Sequence, residues 1–503
     1  MAIETSTHRR GIWPNPMSDW MCDLMDPSTP HFEPCDAAPA MMDTFRDPST
    51  PHSEPCGEAP AIAVFTRDLR VHDNPALVAA GAGGRPTVSL FVLDDRLLSG
   101  PRPPIRRLRF LGEALRDLDN SLRSRGGGLV IRRGNWATEV IDTAAAVGAR
   151  EVHIADDHSA FAVNRFQQLE SMAIDTKLKV YRHPGAAVVP PAVLEPTGGG
   201  EYKVFTPYYR RWSAADWRLT EPAPKQLAGP DLQNGHNLLD VLPPSTNESG
   251  IVGGETDGRR RLSAWLDGPV NGYEDGRDTP AYERTSLLSS YLHLGCLSPL
   301  EVALAASEHP AGGSFVRQLC WRDFFLQVLA ARPDASAASY RDRGDMWADD
   351  PDALRAWQNG QTGFPLVDAG MRQLAGEGFM HNRARMVTAS FFVKDLYLDW
   401  RIGARHFMEY LVDGDVASNQ LNWQWVAGTG TDSNPHRILN PTRQSERFDP
   451  KGDYIRSWVP ELSGVAAPEI HCPSHTTRAR NGYPDQIVDH PEAVSRFRFL
   501  RAQ

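Results

Sequence analysis

Ile62-Ala-Val-Phe-Thr-Arg-Asp-Leu-Arg-Val-His-Asp73 is a short apolar run that ends abruptly in a polar loop. A run of this length, rich in branched and aromatic side chains, reads as a strand buried on both faces, with the charged residues lying beyond its carboxyl end. Four further runs share the pattern: Thr87 to Leu93, Leu129 to Arg132, Glu151 to Ala155 and Leu178 to Arg182. Between them Leu111, Leu115, Leu118 and Leu122 recur at helical spacing ahead of the stop signal Gly126-Gly-Gly. Strand and helix in alternation predict an α/β doubly wound parallel sheet. Such sheets bind ligands beyond the carboxyl ends of their strands, a place that here includes Thr66 to Asp73.

Outward from this block the text changes character. Residues 1–60 carry a repeat with a period of 21, Asp26-Pro-Ser-Thr-Pro-His-Phe-Glu-Pro-Cys35 and Asp47-Pro-Ser-Thr-Pro-His-Ser-Glu-Pro-Cys56. Acidic, proline-rich text of this kind buries too little apolar surface to offset the entropy of ordering, so a disordered extension is expected. A metal site made of His31, Cys35, His52 and Cys56 would match no standard zinc spacing, and no metal is expected. The α/β domain is then assigned to residues 61–185. Residues 186–260, rich in Pro and Gly, read as a long interdomain linker in which only Tyr202 to Tyr208 looks ordered. Residues 261–503 read as an all-α domain, and seven of the thirteen tryptophans lie between Trp321 and Trp458.

The net charge of −10 appears unsuited to a polyanionic partner until it is apportioned. Residues 1–60 contribute ten acidic and three basic residues, leaving only −3 for the rest. A near-neutral body can still present a one-sided basic face, since phosphate affinity follows local clustering. Six cysteines in 503 residues make no disulfide framework, which fits a reducing cytoplasm. No apolar stretch approaches the roughly 20 residues of a membrane span, and no signal-peptide core is present at the start.

Four clusters carry chemistry. Asp413-Gly-Asp-Val-Ala-Ser-Asn419-Gln-Leu-Asn-Trp423-Gln-Trp425 puts carboxylates, an amide and two indoles where an amphipathic helix would need plain apolar residues, so it reads as a site. Thr285-Ser-Leu-Leu-Ser289 opens a helix with hydroxyls and amides suited to a phosphate, although an ordinary helix cap looks the same. Gln318 and Arg322 share a helical face beside Trp321. In His381-Asn-Arg-Ala-Arg-Met386, Asn382 and Met386 share a face while Arg383 and Arg385 are expected to project elsewhere, Arg385 towards Asp413 or Asp415.

With Phe65 to Pro75, Thr362-Gly-Phe-Pro-Leu-Val-Asp-Ala-Gly-Met-Arg-Gln373, Phe379 to Met386 and Asp413 to Asp432 in view, the chain from residue 61 to about 490 resembles the photolyase and cryptochrome family, specifically the microbial class I cyclobutane pyrimidine dimer photolyases. The resemblance implies a helical domain that binds FAD, active as FADH⁻. Tyr273 and Thr285, Ser286, Leu287, Leu288 and Ser289 would hold its diphosphate, with Trp321 and Arg322 against the cofactor. Arg385 would pair with Asp413 behind the flavin, Asp413, Gly414 and Asp415 would run along its edge, and Asn419 would face the central-ring nitrogen. Trp423, Trp400 and Trp347 would relay electrons to the flavin, although three core tryptophans would look alike by spacing.

The same resemblance implies light-driven repair of UV-damaged DNA. A dimer flipped from the duplex would lie between Trp321 and Trp425, contacted by Gln318, Asn382 and Met386, while Arg277, Arg383 and Arg437 hold phosphates. Gln318 departs from the glutamate usual in this family and is familiar in (6-4) photolyases. Those enzymes, however, use two histidines where this chain has Asn382 and Met386, so cyclobutane dimers are the expected substrate. An antenna pigment, 8-hydroxy-5-deazaflavin or methenyltetrahydrofolate, is expected near Phe161-Ala-Val-Asn-Arg165 and the loop from Arg67 to Asp73. The enzyme is expected to be a monomer without an obligate protein partner. A cryptochrome-type photoreceptor is the rival reading.

Overall fold

The computed structural model describes residues 59–98, 104–229, 236–245, 250–281, 284–432 and 434–502. The N-terminal repeat, with His31, Cys35, His52 and Cys56, lies outside the described residues.

Five strands, β1 (Ala61–Phe65), β2 (Thr87–Asp94), β3 (Leu129–Gly134), β4 (Glu151–Ala155) and β5 (Lys179–His183), form one parallel sheet in the order β3-β2-β1-β4-β5. The order reverses direction at β1, the doubly wound pattern expected from the alternation. Helices α1 (Pro75–Ala80), α2 (Ile105–Arg123), α3 (Trp136–Val147) and α4 (Ala160–Thr176) make the crossovers. Asn74, Asn135 and Ser159 cap α1, α3 and α4, each accepting from an amide in the first turn. β1 and β2 are buried throughout, as expected of central strands. β5 is not: Lys179, Tyr181 and Arg182 are exposed, because it is the sheet's edge and has a neighbour on one side only.

The segment 186–260 is not a spacer. Ala186 to Val189 are buried, α5 (Phe205–Ser213) inserts Phe205, Tyr208 and Trp212, and Leu227, Leu239 and Leu242 add to the same apolar cluster. That cluster runs without a break from Phe65 and Leu115 to Leu292, Phe315 and Leu421, so one core serves both the sheet and the helices. Its Pro and Gly content reflects an irregular path, whereas its aromatic residues fill space. The chain continues through α6 (Glu255–Leu266), α7 (Gly313–Ala331), α8 (Pro365–Glu377), α9 (Asn382–Ser390), α10 (Trp400–Tyr410) and α11 (Val416–Ala427) to α12 (His490–Arg501). A second apolar cluster, centred on Trp357, Trp400 and Trp423, fills the interior between α8, α9, α10 and α11. Among the described residues no helix is long and apolar enough to cross a membrane.

The loop after β1, where a ligand contact is expected, also fastens the sheet to the helices. Arg70 is wholly buried and donates to the carbonyl oxygens of Asp73 (2.8 Å), Gly185 (3.2 Å) and Gly295 (3.0 Å). The Leu69 amide donates to Leu294 O at 3.2 Å, and the Val71 amide to Glu255 Oε2 at 2.7 Å. Asp73 accepts from Arg218 (2.5 and 2.8 Å) and from the Ser298 hydroxyl. The charged groups of the loop are thus spent on fastening the sheet to the helices. Of the other expected antenna residues, Phe161 and Arg165 pack together, the guanidinium 4.6 Å from the ring.

Gly295 makes this junction possible. It sits at φ +66°, and a Cβ there would come within 1.9 Å of the Arg67 carbonyl oxygen. Gly295→Ala is expected to lower stability by about 2–4 kcal/mol, since left-handed backbone and a clash with main chain add. A urea midpoint unchanged from the parent protein would show that the junction tolerates a side chain.

Candidate functional site

α7, α9, α11, the short helix Ser289–His293 and the loop before α11 enclose a cavity of about 600 Å³, within the range that holds large organic ligands. It gathers Tyr273, Arg277, Thr285, Ser286, Leu287, Leu288, Ser289, Gln318, Trp321, Arg322, Asn382, Arg383, Arg385, Met386, Asp413, Asp415, Asn419, Trp423 and Trp425. Four residues expected at the site do not line it: Gly414, Trp347, Trp400 and Arg437.

Its electrostatic centre is Asp415. One carboxylate oxygen caps α11 by accepting from the Ser418 amide at 2.8 Å, where the helix dipole favours negative charge. The other takes the Arg67 guanidinium, reaching across from the loop after β1, and lies 3.7 Å from His293 Nδ1. Burial alone would raise the Asp415 carboxyl, but Arg67, His293 and Arg322 together hold it well below the usual range. His293, mostly buried, is pushed down to about 4 by desolvation despite Asp415, and is therefore a neutral imidazole at neutral pH.

Asp413 forms the second charged pair. Arg385 Nη2 meets both its oxygens, at 2.9 and 3.1 Å, while Arg385 Nε donates to Met380 O at 2.7 Å. Arg107 runs beneath the same loop, donating to Met408 O (2.9 Å) and Leu411 O (3.0 Å). Burial lowers its guanidinium to about 10, with Asp413 opposing. Gly414 leaves the space for it: a Cβ there would lie 2.4 Å from Arg107 Nη1. Gly414 thus shapes the site from behind instead of lining it.

The phosphate-type segment is irregular. Leu287 takes φ +52°, and Ser290 Oγ is buried without a hydrogen-bond partner just inside the helix that follows. Arg322 Nη1 donates to Ala186 O at 2.5 Å and Nη2 to Leu292 O at 3.2 Å, so its guanidinium is fixed in the wall. Asn419 is oriented by its own amide: Nδ2 donates to Ala404 O (3.0 Å) and Gln420 Oε1 (3.2 Å), which leaves Oδ1 as the free acceptor. A hydroxyl-rich segment, arginines paired with carboxylates, a fixed acceptor and an apolar floor fit a flavin dinucleotide.

The remaining walls are aromatic. Trp321 stacks face to face on Phe205, the ring centroids 3.7 Å apart. Arg437 lies over the Trp425 ring at 5.1 Å and faces Asp432 at 3.8 Å. Asn382 and Met386 do share a face, with Nδ2 3.8 Å from Sδ. Arg383 and Arg385 are not directed elsewhere, however: the cavity wraps the first turn of α9, so all four residues line it. Arg383 pairs with Asp278 at 2.8 Å and lies 4.1 Å over Phe448.

Three indoles in the second apolar cluster or at its margin grade from buried to half-buried. Trp423 is buried against Gly403, where a Cβ would meet the indole at 2.3 Å. Trp400 lies one turn earlier on α10, wholly buried, donating Nε1 to Ser339 Oγ at 3.2 Å. Trp347 is half-buried at the margin of the same cluster. Sequence reasoning missed His293, placed Arg67 only in a loop expected to meet a ligand or antenna, and missed Arg107 in Ile105-Arg-Arg-Leu108.

Comparison with known proteins agrees with this geometry. Residues 61–228 match the family described as DNA photolyase, and residues 315–501 match the FAD binding domain of DNA photolyase. A deoxyribodipyrimidine photo-lyase of Streptomyces griseus is 49% identical over 452 residues, covering 88% of this chain and 98% of that protein. A bacterial class III photolyase from Agrobacterium tumefaciens superposes with a TM-score of 0.81 at 34% identity, over 91% of this chain and 99% of the other. A cryptochrome from Synechocystis gives 0.83 at 27% identity, over 88% and 99%.

The buried imidazole of His293 has a testable consequence. Unfolded, it takes up a proton near pH 6.5; folded, only near 4, so between these values the unfolded state binds more protons and stability falls as pH falls. Unfolding midpoints measured from pH 7 to pH 4 should decline less steeply in His293→Gln than in the parent, and equal slopes would contradict a buried neutral His293.

Proposed function

The chain belongs to the DNA photolyase family, and from that premise we propose that it repairs UV-damaged DNA in light as a deoxyribodipyrimidine photo-lyase, splitting cyclobutane pyrimidine dimers. The observation that carries the reading is one cavity with two chemistries: a charged, hydrogen-bonding interior around Asp413, Asp415 and Asn419, and an aromatic mouth of Trp321 and Trp425.

FAD, reduced and excited by blue light, supplies the electron that splits the dimer and receives it back, so the reaction has no net redox change. The chain's own residues provide the rest. Tyr273 and Thr285 to Ser289 bind the diphosphate. Arg385 holds Asp413 in place, and Asn419 Oδ1 would be the acceptor offered to a flavin ring N–H. Trp423, Trp400 and Trp347 carry electrons inward from the surface when the cofactor must be reduced. Trp321 and Trp425 stack on the flipped lesion, and Gln318, Asn382 and Met386 meet its edges with donors, acceptors and a soft thioether. Arg277, Arg383 and Arg437 take phosphates; Arg383 and Arg437 keep donors beyond those given to Asp278 and Asp432.

The nearby histidines do not support acid chemistry on a (6-4) lesion. Burial pushes His381, like His293, down to about 4, and His381 Nδ1 is occupied in accepting from the Arg383 amide at 3.1 Å. The enzyme acts in this reading as a cytoplasmic monomer. An antenna, deazaflavin or folate, packs at Phe161 and Arg165, whose Nε is buried without a partner.

Blue-light assays on the reduced protein, with cyclobutane and (6-4) lesions offered separately, should show loss of the cyclobutane lesion only under light. Flavin photoreduction without loss of either lesion would favour the photoreceptor. Trp425→Ala should weaken binding to lesion-bearing DNA by about tenfold or more while FAD is retained, since stacking on one base is worth about 1–3 kcal/mol. Unchanged affinity would remove Trp425 from the lesion wall.

A further inference from the structure

Lys394 is 1% exposed, yet it carries an amine that is ordinarily charged. It stands in the π-helical turn Phe391–Asp395 that continues α9, the helix whose first turn brings Asn382 and Met386 to the cavity. Single π-helical turns of this kind recur at functional sites. The chain has 47 arginines and six lysines, and one of the six stands here. A compact ammonium suits a narrow seam between carbonyl oxygens better than a planar guanidinium does.

The carbonyls it meets flank the wall assigned to the lesion. Nζ donates to Ala427 O at 3.2 Å and to Pro435 O at 2.9 Å, and it lies 4.2 Å from the Phe497 ring of α12. Ala427 ends α11 two residues after Trp425, and Pro435 precedes Arg437 by two. The two segments touch directly, since a Cβ on Gly428 would come within 2.4 Å of Pro435 O. Lys394 therefore lies under the seam that brings Arg437 over Trp425. The last carbonyls of a helix lack partners within it and form its negative end, so cations gather there. Arg501 Nη2 also donates to Ala427 O, at 2.9 Å, and Arg343 Nε to Gly428 O, at 3.2 Å.

Among the described residues no carboxylate is ion-paired with Lys394. Burial and then Arg501 lower its ammonium to about 7, Asp345 and Asp432 oppose from farther off, and Arg343 adds to the lowering. Asp345 is held by Arg501 and the Tyr397 hydroxyl, and Asp432 faces Arg437. On the same turn Asp395 pairs with His490, and its carbonyl accepts from Arg496. A side chain needed only to fill the core would be apolar, because an unpaired buried cation is costly. The donors of Lys394, shared between two carbonyls and a ring face, instead fix the end of α11 against the segment that carries Arg437.

We propose that Lys394 is a positioning residue for lesion recognition: its ammonium holds Trp425 and Arg437 in one preformed wall, so that a flipped lesion meets a stacking surface and a phosphate contact already in register. The inference rests on the lesion wall of the proposed function. Loss of the charge leaves the cofactor residues in place, because Arg385 with Asp413, Asp415 with Arg67, and Asn419 are held by other bonds. Only the mouth is loosened. Affinity for the lesion then falls because the wall must be ordered on binding, whereas affinity for undamaged duplex follows phosphate contacts and changes little.

The test measures dissociation constants of the FAD-loaded enzyme in the dark for duplexes with and without one cyclobutane dimer, together with repair per absorbed photon at saturating DNA. Lys394→Gln, which keeps a donor without the charge, should weaken lesion binding about tenfold, as for loss of one charge-assisted hydrogen bond. FAD content, flavin photoreduction, repair yield once bound and affinity for undamaged DNA should match the parent. A second measurement leaves Lys394 in place. In His436→Gln protein, which lacks the imidazole next to Arg437, the preference for lesion over undamaged DNA should decline as pH rises from 6.5 to 8.5, since the neutral amine makes weaker bonds. In Lys394→Gln that preference should be flat. An equal loss for both DNAs in Lys394→Gln, or none, would overturn the role of Lys394. If that variant does not fold, a flat preference in His436→Gln protein would do the same. A parent protein that does not prefer the lesion at any pH would overturn the lesion wall itself.

Discussion

The interaction on which the molecule depends is the contact of Arg67 with Asp415. It joins a loop of the sheet to the cap of the helix that carries Asn419, Trp423 and Trp425, so the α/β part helps set the position of the site floor. Buried charges are costly unless they are matched, and here the matching is dense: Arg67 also faces Asp157 at 3.5 Å and donates Nε to His293 O at 2.9 Å. Removing either partner would strand the other in the interior, which makes the pair a constraint on register as much as a source of attraction. Arg70, three residues on, extends the same fastening to Gly295.

That fastening explains why the apolar interior is not divided in two. The cluster containing Phe65 also contains Phe315 and Leu421, and the segment between sheet and helices is packed into it through Phe205, Tyr208 and Trp212. Phe205 then backs Trp321 in the cavity wall. A stretch read from the sequence as a linker thereby supports an aromatic wall of the cavity. Asp323 does comparable work beneath: buried, pushed up to about 6 by desolvation, it still accepts from the amides of Val188 and Val189 and from Trp212.

α11 divides its labour by helical geometry. Residues two apart point roughly 200° apart around a helix, so Trp423 turns into the core against Gly403 while Trp425 faces Arg437 at the mouth. One element can therefore serve an electron path and a stacking surface. The proposed path lies in the second apolar cluster, from buried Trp423 and Trp400 to half-buried Trp347.

Patterns local in sequence were legible. The apolar runs and helical leucines specified a doubly wound parallel sheet, because strand and helix periods depend on near neighbours. The motif text around Asp413, Asn382 and Thr285 brought most of the cavity residues into view. Contacts between distant segments were not legible: Arg67 with Asp415 spans 348 residues, and Arg107 with Leu411 spans 304. The exposure of β5 required the strand order, and the packing of residues 186–260 required the aromatic surfaces they meet. The sequence by itself determined which chemistry is present and in what local frame. Only the tertiary structure decided which charges meet, because the energy of a buried pair depends on distance and desolvation, neither of which is set by order along the chain.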